Sequence, residues 1–252
     1  MRFFNRLASA LLFLTRIPLP WHPPFSQEDF GAALLYSPLV GLIIGGVLSV
    51  VAWFFQHINM SSLLSAALIL VIYQLISGVL HMDGLGDTFD GLGAGGDKER
   101  KLAIMRDSRI GSFGLLAIIN VLLCDFAALH ALASISSWPY FLLIWPCLGR
   151  LAILVSASLS TYARSEGGLG KSLVDYCNWQ RSWPVLCLVF LICLVVLPYD
   201  LAFMLYFSTC FLAWSLNSYI KKQIGGATGD TLGAVVELCQ AGILILSVLY
   251  FH

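Results

Sequence analysis

Seven apolar stretches set what this chain can become. They run at about 31–56, 62–81, 112–135, 138–161, 184–198, 200–219 and 232–251, with short polar segments between them. A helix needs about 20 apolar residues to cross the hydrocarbon of a bilayer. The expected fold is therefore all-α, a polytopic integral membrane bundle. The fifth stretch is short, and the fifth and sixth read as a tight hairpin at Pro198-Tyr199-Asp200. Seven spans are expected, with six as the alternative. Composition agrees: 59% of residues are hydrophobic and 11% charged, against about 25% charged in a soluble domain.

Ahead of the first stretch, residues 1–18 carry Arg2, Arg6 and Arg16 and read as an amphipathic helix lying on the membrane surface. Pro18, Pro20, Pro23 and Pro24 break it. The same arginines, and the lack of a small-residue cleavage site, argue against a removed signal peptide. With a cytoplasmic N-terminus, the polar segments 1–30, 82–111, 162–183 and 220–231 all face the cytoplasm. They hold thirteen of the 14 lysines and arginines, the remaining one being Arg150 within a span. Such a bias is what the positive-inside rule expects. It places the polar motifs on one face of the membrane. A net charge of +0 points to no nucleic-acid partner. The seven cysteines show no CxxC pairing and read as reduced packing residues.

One polar segment carries most of the chemistry. His81-Met-Asp-Gly-Leu-Gly-Asp-Thr-Phe-Asp-Gly91 places Asp83, Asp87 and Asp90 at i, i+4 and i+7. On a helix these fall within roughly 60° of arc. Three anions on one stripe repel each other unless a cation sits between them, and oxygen ligands suit a hard divalent ion such as Mg²⁺ or Mn²⁺. Gly84, Gly86 and Gly91 cost a helix about 1 kcal/mol each relative to Ala. The expected return is room for a bulky ligand near the backbone. A solvated acidic loop is the plain alternative.

Further constellations follow. Arg106-Asp107-Ser-Arg109 stands at the entry to the third span, where arginine forks match phosphate oxygens. An ordinary interfacial anchor is the alternative. Gly225-Gly-Ala-Thr-Gly229-Asp230-Thr opens the last span, with Glu237 at i+7 from Asp230 on the same helix face. Helix N-termini bind anions through free N–H groups, though Thr228 and Asp230 could equally be a turn and cap. Arg150 and Asp125 lie inside apolar runs and need a partner or a cavity. Either they pair with each other, or Arg150 faces the site. Arg164-Ser-Glu-Gly-Gly-Leu-Gly-Lys171 lacks the P-loop spacing and reads as a flexible loop with phosphate contacts. His22, His57, His130 and His252 receive no role, and His81 is expected to point away from the stripe.

Acids and arginines gathered on one membrane face suit displacement at a diphosphate. A transporter with broken helices would instead put its acids near the bilayer midplane.

The motifs at 81–91, 104–111 and 225–234 together resemble those of the cobalamin synthase family, the adenosylcobinamide-GDP ribazoletransferases. Phe-Leu-Thr-Arg-Ile-Pro at 13–18 and Glu-Gly-Gly-Leu-Gly at 166–170 fit as well. His81-Met82 stands where the family commonly has His-Leu. The resemblance implies one membrane-embedded catalytic domain over 1–252. It implies that α-ribazole, or its 5′-phosphate, joins adenosylcobinamide-GDP with release of GMP, and that Mg²⁺ is the cofactor. It maps Asp83, Asp87, Asp90, Asp230 and Glu237 as metal ligands. Asp87 and Asp230 become the catalytic acids, with Arg106, Asp107, Arg109, Arg150 and Gly229 at the phosphates. The substrates and the lipid bilayer are the expected partners, and a homo-oligomer is left open. The stripe is also similar to that of CDP-alcohol phosphotransferases. Their Asp-Gly-x-x-Ala-Arg core is absent, since Leu85-Gly86-Asp87-Thr88 follows Gly84.

Overall fold

A computed structural model describes residues 2–22, 27–167 and 169–251. Pro23, Pro24, Gly168 and His252 lie outside the described residues. The helices are α1 (Arg2–Leu14), α2 (Gln27–Ala33), α3 (Ser37–His57), α4 (Ser62–Ser77), α5 (Leu80–Gly93), α6 (Lys98–Ile104), α7 (Ser112–Leu132), α8 (Trp138–Ser158), α9 (Leu169–Tyr176), α10 (Trp179–Val196), α11 (Tyr199–Ile224) and α12 (Gly229–Phe251). Among the described residues there is no strand, only an isolated parallel bridge between Tyr162 and Ala227. The protein is an all-α polytopic membrane bundle.

Six helices are long and apolar enough to cross a membrane: the run Glu28–His57, α7, α8, α10, α11 and α12. The choice between six and seven spans rests on α4. At 16 residues it rises about 24 Å, and it is followed by α5 at an angle of 87°. The bend has a backbone cause. Gly78 (φ 65) caps α4 in the left-handed region, and Val79 (φ 63) takes the same conformation next to it. A β-branched residue there costs on the order of 1–3 kcal/mol, so packing must hold it in place. Arg16 supplies part of that packing, donating its backbone N–H to the Ile76 carbonyl at 2.8 Å. α4 counts as a seventh span only together with α5, the pair forming a broken span with the polar motif of α5 at its end.

α8 is the centre of the bundle, with its side chains buried along nearly its whole length. Lipid tails are as apolar as leucine, so membrane helices associate by close packing rather than by burial from water. Gly41 and Gly45 of α3 provide that closeness. A Cβ at Gly41 would lie 2.5 Å from the Pro146 carbonyl oxygen, and one at Gly45 would strike the Leu143 carbonyl. α12 runs along the other side of α8 and also contacts α5, α7 and α11. Arg6 of α1 pairs with Asp29 (2.8 Å) and Glu28 (3.2 Å) of α2.

Two elements differ from expectation. The loop after α8 contains α9, whose Leu173 and Val174 are buried against the apolar cluster of α8 and α12. α11 outruns its apolar stretch, continuing through Lys221 and Lys222 to a left-handed cap at Gly225.

Candidate active site where α5 crosses α12

α5 stays helical through its three glycines, and the structure shows what they permit. A Cβ at Gly84 would lie 2.7 Å from the Asp230 carbonyl oxygen and 3.0 Å from its Cα. From the other side, a Cβ at Gly233 would lie 3.1 Å from the Cα and carbonyl oxygen of His81. The two helices touch backbone to backbone at this crossing. Gly86 faces Ile118 of α7, and Gly91 faces Met105 and the Lys101 carbonyl. The glycines serve helix packing, and Gly84 also lines the cavity formed at the crossing.

The crossing brings the first and last motifs together. Asp83 of α5 and Asp230 of α12 line one cavity of about 420 Å³, together with His81, Arg106, Arg164 and Gly229. Thr228 caps α12: its Oγ1 accepts from Thr231 N at 3.2 Å, and Thr231 Oγ1 accepts from Thr228 N at 2.8 Å. The cap fixes Asp230 in the first turn. Arg164 Nη2 then holds Asp230 Oδ2 at 2.7 Å. Arg164 reaches it because its loop is laced to the turn before α12. Ala163 N donates to Ala227 O, and Ala227 N to Thr161 O, both at 2.9 Å.

The stripe divides by role. Asp83 is exposed and Asp87 half-buried, while Asp90 is buried. Asp90 accepts from Gly111 N at 2.6 Å and Gly114 N at 2.8 Å. Its carboxylate thus sits on the N-terminal N–H groups of α7, a favourable place for an anion. Gly111 and Gly114 are required there, since a Cβ at either would collide with that carboxylate. Asp87 is pushed up to about 6, first by burial and then by the charges of Asp83, Asp230 and Asp90, with Arg164 opposing them.

The arginines also divide. Arg106 lines the cavity and pairs with Glu166 at 2.8 Å. Arg109 grips Asp107 through Nη2 at 2.7 Å and Nε at 3.0 Å. These contacts hold the Asp107 carboxyl down at about 2, and the pair borders a shallower surface beside Asp90.

Arg150 and Glu237 lie elsewhere. Arg150 is fully buried, donating through Nη1 to Tyr73 Oη (3.4 Å) and to the Pro146 carbonyl (3.3 Å). It neither pairs with Asp125 nor faces the cavity. Both carboxylate oxygens of Glu237, and both of Asp125, are buried with no hydrogen-bond partner among the described residues. Seven residues along α12 is two turns, which carries Glu237 away from the helix end and into the bundle. His81 is buried and lines the cavity.

Among the described residues no three His, Cys, Asp or Glu side chains stand together as a ready metal cage. A Mg²⁺ ion is commonly held by one or two carboxylates with substrate phosphates and water filling the rest of the shell. Asp83, Asp87 and Asp230 are the acids that could supply them. Sequence reasoning placed Arg164 in a loop with phosphate contacts but did not foresee its pairing with Asp230. Its only sequence signal is a charge at the exit of a span, next to a glycine-rich loop.

The family described as Cobalamin-5-phosphate synthase matches residues 6–248. A protein of Clostridium acetobutylicum, named adenosylcobinamide-GDP ribazoletransferase, is 40% identical over 254 residues, covering 100% of both chains. A protein of the same name from Acetivibrio thermocellus is 37% identical, covering 99% of this chain and 100% of its own. A third, from Pseudomonas fluorescens strain Pf0-1, is 38% identical, covering 94% and 96%. No solved structure matches the chain.

Proposed function

Because the chain belongs to the Cobalamin-5-phosphate synthase family, we propose that it is an adenosylcobinamide-GDP ribazoletransferase. The 3′-hydroxyl of α-ribazole, or of its 5′-phosphate, attacks the cobinamide-linked phosphorus of adenosylcobinamide-GDP. The bond from that phosphorus to the bridging oxygen breaks, and GMP leaves with the oxygen. The product is adenosylcobalamin or its 5′-phosphate.

The observation that carries this reading is the cavity itself, where Asp83 and Asp230 from distant motifs meet beside Arg106 and Arg164. The arginines spread the charge that develops on the phosphoryl oxygens. Whichever of Asp87 and Asp230 is not fully engaged with the cation takes the proton from the attacking hydroxyl. Mg²⁺, when bound, would be held by one or two of Asp83, Asp87 and Asp230 and would neutralise diphosphate charge. Asp90 positions α5 rather than binding the ion. The test is purified protein in detergent or nanodiscs with adenosylcobinamide-GDP, α-ribazole and Mg²⁺. GMP release at a rate proportional to protein supports the reading, and intact adenosylcobinamide-GDP at high protein concentration rejects it.

Two expectations follow from this assignment. The site belongs on the cytoplasmic face of the bacterial inner membrane, since the basic residues gather there. In a background without native cysteines, Lys98→Cys and Lys222→Cys should react with an impermeant thiol reagent only after the inner face is opened. Labelling of both in intact cells contradicts this orientation. Proton competition gives the second. A cation entering beside Asp87 must expel its proton when the pH falls below about 6. The Mg²⁺ concentration for half-maximal GMP release should therefore rise as pH drops from 7.5 to 5.5, by up to about tenfold per unit below 6. A flat Mg²⁺ requirement across that range removes Asp87 from the ion.

A further inference from the structure

The acid-lined cavity shares a wall with a second one of about 300 Å³, bordered by Lys98, Glu99, Arg106, Arg164 and Glu166. Arg106 and Arg164 line both. Arg164 gives Nη2 to Asp230, while its Nε is buried with no partner among the described residues. On Arg106 sits the Glu166 carboxylate at 2.8 Å, with side chains 45% and 74% exposed. So exposed a pair contributes little stability, and a phosphate dianion can replace the carboxylate. Lys98, half-buried at the start of α6, adds a third cation.

We propose that Lys98, with Arg106 and Arg164, forms a second phosphate subsite that takes the phosphomonoester of the incoming nucleoside. This rests on the transferase reading above. In that reaction the two phosphates of the GDP moiety stay with the carboxylates and their cation. The phosphate that leaves in GMP starts as part of that diphosphate, so it begins on the acid side. A phosphorylated acceptor brings a third phosphate, which carries about −1.5 to −2 charge at pH 7 and needs cations rather than acids. The second cavity brings Lys98, Arg106 and Arg164 within reach of the first, set against the carboxylates of Glu99 and Glu166.

The test compares kcat/KM for α-ribazole 5′-phosphate and α-ribazole. In Lys98→Gln the ratio of the two should fall about tenfold, the size of one charge-assisted contact, and Lys98→Arg should restore it. An unchanged ratio overturns the proposal, as does weaker inhibition by GMP with the ratio intact, which would give the subsite to the leaving nucleotide. The wild-type protein provides a check free of folding effects. Inorganic phosphate should compete with the phosphorylated acceptor and not with the free one; equal effects on both overturn the proposal. Absence of GMP release from either acceptor would instead reject the transferase reading.

Discussion

Asp83→Asn is expected to lower GMP release by about 10²-fold or more at saturating substrate, with the protein still folded. Asp87→Asn should do the same. The amide keeps the size and shape of the side chain and removes one ligand charge. If the cation stabilises charge that develops only in the transition state, the loss appears in kcat and not solely in substrate affinity. A factor of 10² corresponds to about 2.7 kcal/mol of activation free energy. Asp83 is exposed in the cavity and makes no side-chain hydrogen bond among the described residues, so its loss has little structural cost. Size-exclusion elution and thermal unfolding in detergent would report the fold beside the assay. Folded variants with near wild-type turnover at saturating Mg²⁺ would take these residues out of the site.

Gly84→Val should be as damaging by a different route. A Cβ there would stand 2.7 Å from the Asp230 carbonyl and 3.0 Å from its Cα, and neither backbone atom can rotate aside. α5 and α12 must separate, and Asp230 moves away from Asp83. A misplacement of about 1 Å can cost on the order of 10² in rate, so a loss of that size is expected even in the fraction that folds. Gly46→Ala is the matched control, because a Cβ at Gly46 meets nothing within 4 Å. It should leave GMP release near wild type. Activity retained in Gly84→Val would mean that the backbone contact does not position the site.

Much of this was legible in one dimension. The apolar stretches located the spans, because bilayer thickness fixes the length of a crossing helix. The i, i+4, i+7 spacing put Asp83, Asp87 and Asp90 on one helical stripe, and α5 is indeed helical across it. Periodicity could not tell that Asp90 is spent on the N-terminus of α7, because that partner lies 21–24 residues away. Nor could it tell that Glu237, on the face of Asp230, is two turns inside the bundle. Arg150 and Asp125 called for either a mutual ion pair or, for Arg150, a place at the phosphates, because charges in apolar runs need partners or a cavity. The structure gives Arg150 to Tyr73 and the Pro146 carbonyl instead. Arg164 was legible only as part of a loop with phosphate contacts; its grip on Asp230 depends on the Tyr162–Ala227 bridge, a tertiary contact. The bend at Gly78-Val79 was also out of reach, since valine is not a residue that announces a left-handed turn.

The central claim is that two motifs about 140 residues apart form one catalytic unit. A double-mutant cycle on GMP release with Asp87→Asn and Asp230→Asn tests it most directly. The Asp230 charge helps raise Asp87, and groups that work as a unit lose their effect together. The double variant should be nearly as active as the worse single one, a strong departure from additivity. Losses in activation free energy that simply add, each variant being folded, would place Asp230 outside the site and contradict the account.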